Sequence, residues 1–141
     1  DLQLTLMEPT GKRVDFLKYL CGELGLTGVE FAKERAEEAA RKIWREQFDI
    51  AGARAVAALP VLCEYCLPFV KVGGAFLALK GAEDEVAAAK CAIATLGGEL
   101  EQNVSYKLPS GDSRHLVVVR KISQTPTKYP RKPKKIDTKP L

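Results

Sequence analysis

Histidine is almost absent from this chain: His115 is the only one in 141 residues. A mechanism resting on a histidine base or a histidine-rich metal site therefore has little to draw on. Cysteine is sparse as well. Cys21, Cys63, Cys66 and Cys91 all lie in apolar, helix-like stretches, the usual setting of buried free thiols. Cys63-Glu64-Tyr65-Cys66 has CxxC spacing, but a zinc ribbon needs a second close pair, and a redox motif should open a helix after a strand. Neither context is present, and no metal is expected. Long apolar runs are also missing. Stretches such as 75–79 and 116–119 fall far short of the roughly 20 residues a helix needs to cross a bilayer. No basic-then-apolar leader with a small-residue cleavage site opens the chain, so the expected setting is cytoplasmic, without a membrane. An initiating methionine is missing too, and residues 1–6 drop straight into a strand pattern, which reads as a chain trimmed at its front.

What is present is ordinary for one soluble domain, with 46% apolar and 28% charged residues. The charge is unevenly spread. Residues 1–119 carry 14 Lys/Arg against 17 Asp/Glu, whereas 120–141 carry 8 against 1. The acidic body and basic tail predict two parts, a domain over 1–121 and a basic, proline-rich tail over 122–141. Such asymmetry points to a polyanionic partner contacted by the tail. Pro126, Pro130, Pro133 and Pro140 each remove a backbone donor and restrict the residue before them, so the tail is expected to be extended and mobile. Tyr129 would then offer a base a stacking face.

Strand and helix patterns alternate through the body. Leu2, Leu4 and Leu6 alternate with polar neighbours as a strand, and Thr10 can cap a helix over 12–24, with Val14, Leu17, Cys21 and Leu24 on one face. A strand over 29–32, a helix over 36–43 and a strand over 48–51 follow. Pro60 suits the start of a helix over 59–70. Residues 75–79 read as a buried strand and 83–96 as a helix. Strands near 100–108 and 114–121 flank the turn Pro109-Ser110-Gly111-Asp112 as an antiparallel pair. This order predicts an α/β fold with a mainly parallel sheet covered on both faces. Functional groups in such sheets collect at the carboxyl ends of the strands. A glycine-rich phosphate or cofactor turn after a strand is missing, because neither Gly73-Gly74 nor Gly97-Gly98 has the required spacing.

Several stretches then resemble the RsmG or GidB family, guanine-N7 methyltransferases of small-subunit ribosomal RNA. They include Gly11-Lys12-Arg13-Val14 with Phe16-Leu17, Arg35-Ala36-Glu37, Arg45-Glu46-Gln47-Phe48-Asp49 and Ala53-Arg54-Ala55-Val56-Ala57. Others are Leu67-Pro68, the run from Phe76 through Lys80-Gly81, the Leu96-Gly97-Gly98-Glu99-Leu100 stretch, the stretch Arg114-His115-Leu116-Val117-Val118, and Lys128-Tyr129-Pro130-Arg131-Lys132. They run in family order across essentially the whole chain. The resemblance implies a Rossmann-like methyltransferase sheet using S-adenosylmethionine, mostly parallel with an antiparallel C-terminal strand pair. It further implies the C-terminal part of the enzyme, without the family's N-terminal helices, first strand and glycine-rich loop, so that these residues alone are expected to bind cofactor weakly. Small-subunit ribosomal RNA, naked or in the assembled subunit, is the implied partner.

The resemblance also implies site residues. Glu8 would accept hydrogen bonds from the cofactor ribose, where the family usually has Asp-Ser and this chain has Glu8-Pro9; a solvated acid is the alternative. Ala36 and Glu37 would flank the adenine, although Glu37 also suits the first turn of a helix. Arg54 would stand at the methyl-transfer mouth, or else close an ion pair at a strand end. Arg35, Lys80 and Arg114 match basic family positions and would meet RNA, as would Lys128, Arg131 and Lys132 of the tail; any one alone could be a surface charge. Guanine N7 carries a lone pair and no proton, so alignment is the main task and no base is required. His115, inside a strand pattern, reads as structural. Two rival readings share parts of this pattern: a nicotinamide-dependent oxidoreductase, and a non-catalytic RNA-binding or ribosome-associated module.

Overall fold

The computed structural model describes residues 2–54 and 57–141. Asp1 and the Ala55-Val56 part of the Ala53 to Ala57 motif lie outside the described residues. The alternating pattern holds. β1 (Leu4–Met7) leads to α1 (Gly11–Glu23), and β2 (Val29–Ala32) leads to the short α2 (Ala36–Ala39). β3 (Phe48–Arg54), α3 (Leu59–Cys66), β4 (Val70–Lys80) and α4 (Val86–Thr95) follow. β5 (Gly98–Lys107) and β6 (Ser113–Lys121) form the antiparallel pair, and α5 (Pro133–Thr138) lies in the tail.

β1 and β2 pair in parallel, and a second sheet has the order β3-β4-β6-β5. β3 and β4 are parallel, whereas β6 runs antiparallel to β4. Among the described residues β1 and β3 share no strand pairing. The break falls where the resemblance would seat a further strand.

Two expected boundaries move. The helix expected over 59–70 ends at Cys66, a 3-10 turn spans Leu67–Phe69, and β4 starts at Val70. Pro68 explains the break, since it has no N–H to give the preceding turn and its ring crowds the carbonyl four residues back. The helix expected over 36–43 is a single turn. Beyond it Trp44 stacks on Phe48 with ring centroids 5.6 Å apart, and Glu46 takes φ of 50°, which continues no helix.

The main core lies between one face of the larger sheet and α3 and α4. Leu59, Leu62, Phe76, Ala92, Ile93, Val117 and Val119 are its centre. Coverage of both faces is not observed. On the opposite face Ile50 is 58% exposed and Leu79 40%, because α3 and α4 lie over the first face, α1 packs beside β2, and α2 and α5 pack on α3. Leu24, expected on the packed stripe of α1, is likewise exposed.

The tail expectation is corrected more sharply. Residues 122–141 are packed against the body instead of extending into solvent. The Gly97 carbonyl accepts from the N–H groups of Ile122 and Ser123, and Thr125 Oγ1 donates to Leu96 O at 2.7 Å. Arg45 forks into the tail, donating to Tyr129 O and Thr125 O at 2.7 Å each. Arg41 Nε donates to Pro130 O at 2.8 Å. Ile136 is fully buried, and Tyr129 belongs to the main core. Prolines define short extended links here, while the donors that hold those links come from elsewhere in the chain.

Lys121 anchors the junction. Its ammonium is buried and donates to Leu67 O and Val70 O at 2.8 and 2.9 Å, with Glu46 Oε1 at 3.1 Å. Burial pushes its pKa down, opposed by the Glu46 carboxylate. Gly97 is the tightest point: φ is +84°, and a Cβ would lie 2.3 Å from Ser123 O. Gly97→Ala should therefore lose about 2–3 kcal/mol, combining left-handed backbone strain with overpacking. Urea denaturation checks this, and a wild-type midpoint would show that the tail yields freely.

Candidate functional site

Within each sheet the parallel strands end on the same side, β1 with β2 in the smaller sheet and β3 with β4 in the larger, where the antiparallel β6 starts at that same edge. Met7 of β1 pairs with Ala32 of β2, Arg54 of β3 with Leu79 of β4, and Lys80 with His115 of β6. Glu8, Arg35, Ala36, Glu37, Arg54, Lys80 and Arg114 are thus carried to strand ends or to the turns just beyond them, as the alternating pattern predicts.

Glu8 is fixed by its own loop. Its N–H donates to Ala32 O at 3.0 Å, extending the β1–β2 ladder by one residue. Its Oε1 accepts from the Thr10 N–H at 2.9 Å, and Arg13 stands 3.8 Å from Oε2. The Thr10 N–H, more than Arg13, holds the carboxyl below its usual range against some desolvation. Glu8 is therefore an ionised acceptor with one oxygen committed and the other only loosely paired.

Glu37 lies in the first turn of α2 and is buried, with Arg35 Nη1 donating to Oε1 at 3.1 Å. That hydrogen bond raises the Arg35 pKa. Arg35, expected to meet RNA, thus spends one nitrogen orienting Glu37, although its side chain remains 58% exposed. Ala36, which opens α2, packs against the small cluster of Ala39, Ala40 and Phe69.

Arg54 ends β3, is exposed, and makes no ion pair among the described residues. Lys80 differs from expectation. Only 10% of its side chain is exposed, and Nζ donates to Ala57 O at 2.6 Å while lying 2.8 Å from Glu85 Oε2. Its ammonium braces the connection after β3 and is not presented to a phosphate or a guanine O6. Arg114 donates to Ser113 O at 2.8 Å and keeps 36% of its side chain exposed. His115 is engaged on both sides, with Nδ1 3.3 Å from Asn103 Oδ1 and Nε2 3.2 Å from Ala82 O, consistent with a structural role.

Among the tail residues the outcome divides. Arg131 is taken up by Glu64: Nη2 lies 2.6 Å from Oε2, Nε lies 2.9 Å from Oε1, and the backbone N–H donates to Oε1 at 2.7 Å. Its pKa is raised by that carboxylate, and it is withdrawn from RNA by the same bonds. Lys128 and Lys132 remain exposed. Tyr129 is buried beneath Lys128, whose Nζ lies 5.3 Å from the ring centroid, so no stacking face is offered.

Cys63 and Cys66 have their thiol pKa values pushed up by burial, Cys66 to about 12. Inert thiols result. Cys91, expected to be buried, is exposed. No group of metal-ligating side chains occurs among the described residues, and no described helix is long and apolar enough to cross a membrane. Sequence reasoning gave Arg41, Arg45, Glu46 and Glu64 no role, and it counted Lys121 among the tail cations free to follow a phosphate backbone, whereas its ammonium is buried on Leu67 O and Val70 O. Their partners lie 51 to 89 residues away, and nothing in the local pattern marks them. Arg45 and Glu46 were visible only as part of a family-like stretch.

The family profile GidB, rRNA small subunit methyltransferase G, matches residues 1–117. A protein of that name from Alkaliphilus metalliredigens is 51% identical over 99% of this chain and 60% of its own length. Its counterpart from Halalkalibacterium halodurans is 47% identical over all of this chain and 61% of its own length. The chain thus spans about 60% of the curated relatives it matches. Among solved structures, an S-adenosylmethionine-dependent O-methyltransferase from Thermotoga maritima aligns with a TM-score of 0.63 at 12% identity, covering 86% of this chain and 51% of that one. A 16S rRNA (adenine(1408)-N(1))-methyltransferase from Catenulisporales acidiphilia aligns with a TM-score of 0.67 at 9% identity, covering 84% and 73%. At such identities the structural likeness speaks for the fold.

Proposed function

The chain belongs to the GidB family, rRNA small subunit methyltransferase G, and from that premise we propose that it works in methyl transfer from S-adenosylmethionine to N7 of a guanine in small-subunit ribosomal RNA. The observation that supports the reading is that Glu8 follows β1, Glu37 follows β2 and Arg54 ends β3, each at the carboxyl end of a parallel strand, in a chain with this family match. The donor set fits a nucleoside cofactor: an ionised carboxylate with a loosely held oxygen follows β1, and a buried acid with a small alanine beside it follows β2. When bound, S-adenosylmethionine supplies an electrophilic methyl group.

The chain's own residues then have positioning roles. Glu8 accepts from ribose hydroxyls. Ala36 and Glu37 border the adenine, with Arg35 holding the Glu37 carboxylate in place. Arg54 presents a planar cation at the mouth of the site, suited to bidentate contact with a phosphate or a base edge. Guanine N7 brings its own lone pair, so no residue must remove a proton; a fully occupied His115 is compatible with that. Arg114, Lys128 and Lys132 are the RNA-contacting residues in this reading, and the work belongs in the cytoplasm, on naked RNA or on the assembled subunit.

Incubating the complete protein with methyl-labelled cofactor and small-subunit RNA tests the reading. Nuclease digestion and mass spectrometry should locate the label as N7-methylguanosine; label on another atom, or none, overturns it. Glu8→Ala should weaken cofactor binding by roughly ten- to a hundred-fold, the range for lost hydrogen bonds to a charged group. Calorimetry showing unchanged affinity in a folded variant would remove Glu8 from the site.

A further inference from the structure

Packing of the tail creates a surface that its sequence as a loose segment does not contain. Arg41, from the connection between α2 and β3, lies beside Lys128, Arg131, Lys132, Lys134 and Lys135 around one open depression. The only other lining residue is Thr138, so no acid lines the depression. The one acid of the tail, Asp137, accepts from Tyr65 Oη at 2.9 Å. Arg131 is neutralised by Glu64, which leaves five exposed cations on the rim: Arg41, Lys128, Lys132, Lys134 and Lys135.

We propose that these five residues form a fixed cationic platform for the phosphate backbone of structured RNA; the proposal deepens, and rests on, the reading of an RNA substrate. The platform shares no residue with the strand ends and turns that carry Glu8, Glu37 and Arg54. Its mounting is rigid by construction. Arg41 is tied to Pro130 O, Arg131 to buried Glu64, and α5 is seated by buried Ile136.

The chemistry favours backbone over bases or a small anion. Four of the five cations are lysines, point charges without a bidentate fork. Tyr129, the tail's aromatic ring, is buried, so base stacking is not available there. Contacts of this kind hold and orient a nucleic acid without reading its sequence. A folded platform also keeps its charges at set spacings, so less conformational freedom is lost on binding than with a mobile tail.

The test compares the complete protein with its K132Q/K134Q/K135Q variant, binding a small-subunit RNA fragment over a salt series without cofactor. Each phosphate contact contributes a slope of roughly 0.7 in log affinity against log salt for single strands, so loss of three should flatten the slope by about 2. Cofactor affinity should be unchanged, and the K132R/K134R/K135R variant should keep the wild-type slope. An unchanged slope in the glutamine variant overturns the proposal. So does a slope unchanged for RNA when binding to phosphatidylserine vesicles is lost, which would make this a membrane-facing surface. RNA affinity is read without methyl transfer, so failure of the platform and failure of the methylation reading remain distinct results.

Discussion

Glu64→Ala should destabilise the protein by about 3–5 kcal/mol, the range for breaking a buried ion pair from one side. Glu64 is fully buried in α3, and its carboxylate accepts three bonds from Arg131 side-chain nitrogens and one from the Arg131 backbone N–H. Removing it leaves a guanidinium only 13% exposed and an N–H with no acceptor. The loss should reach beyond the pair, because Arg131 stands between the Tyr129 core contact and the Ile136 seat. Arg131→Ala should cost a similar amount by stranding the carboxylate. The combined E64Q/R131M change removes both charges yet leaves an amide oxygen for the backbone N–H, so it should recover most of the stability. Urea titration of the three variants decides. A double variant no better than the singles would mean that the charges themselves, rather than their mutual satisfaction, hold the tail.

Arg54→Ala should lower methyl transfer to small-subunit RNA by about a hundred-fold or more, in the range for losing a group that stabilises or orients reacting partners. Thermal stability should stay close to wild type, since Arg54 is exposed at the end of β3 and holds no ion pair among the described residues. Arg54→Lys should rescue poorly, because a single ammonium does not reproduce a planar fork. Measuring kcat with saturating RNA separates a role in the transfer step from simple RNA affinity. Near-normal turnover in the alanine variant would take Arg54 out of the site. Lys80 is the instructive contrast. It also ends a parallel strand, yet its ammonium is already spent on Ala57 O and Glu85, so its replacement should be felt in stability first.

The α/β alternation, the strand-end positions of Glu8, Arg35, Glu37 and Arg54, and the antiparallel closing pair were all determined by the sequence alone. Each depends on local periodicity or on a turn within a few residues, which a linear reading captures. Boundaries at Pro68 and after Ala39 shifted because one rests on a single missing N–H and the other on a stacking contact with Phe48. Tertiary structure decided which cations are free. Arg131 and Lys80 look like Lys128 and Arg54 in a list of basic residues, but Glu64 and Ala57 O take up the first two. It also decided the fate of the tail. Prolines and lysines spell an extended, solvated segment by every local criterion. Arg45, Arg41, Glu46 and Glu64, distant in sequence, supply the donors and acceptors that a proline-rich strand cannot find within itself. Whether a polar segment packs depends on whether its backbone groups meet partners, and only the folded chain brings those partners to it.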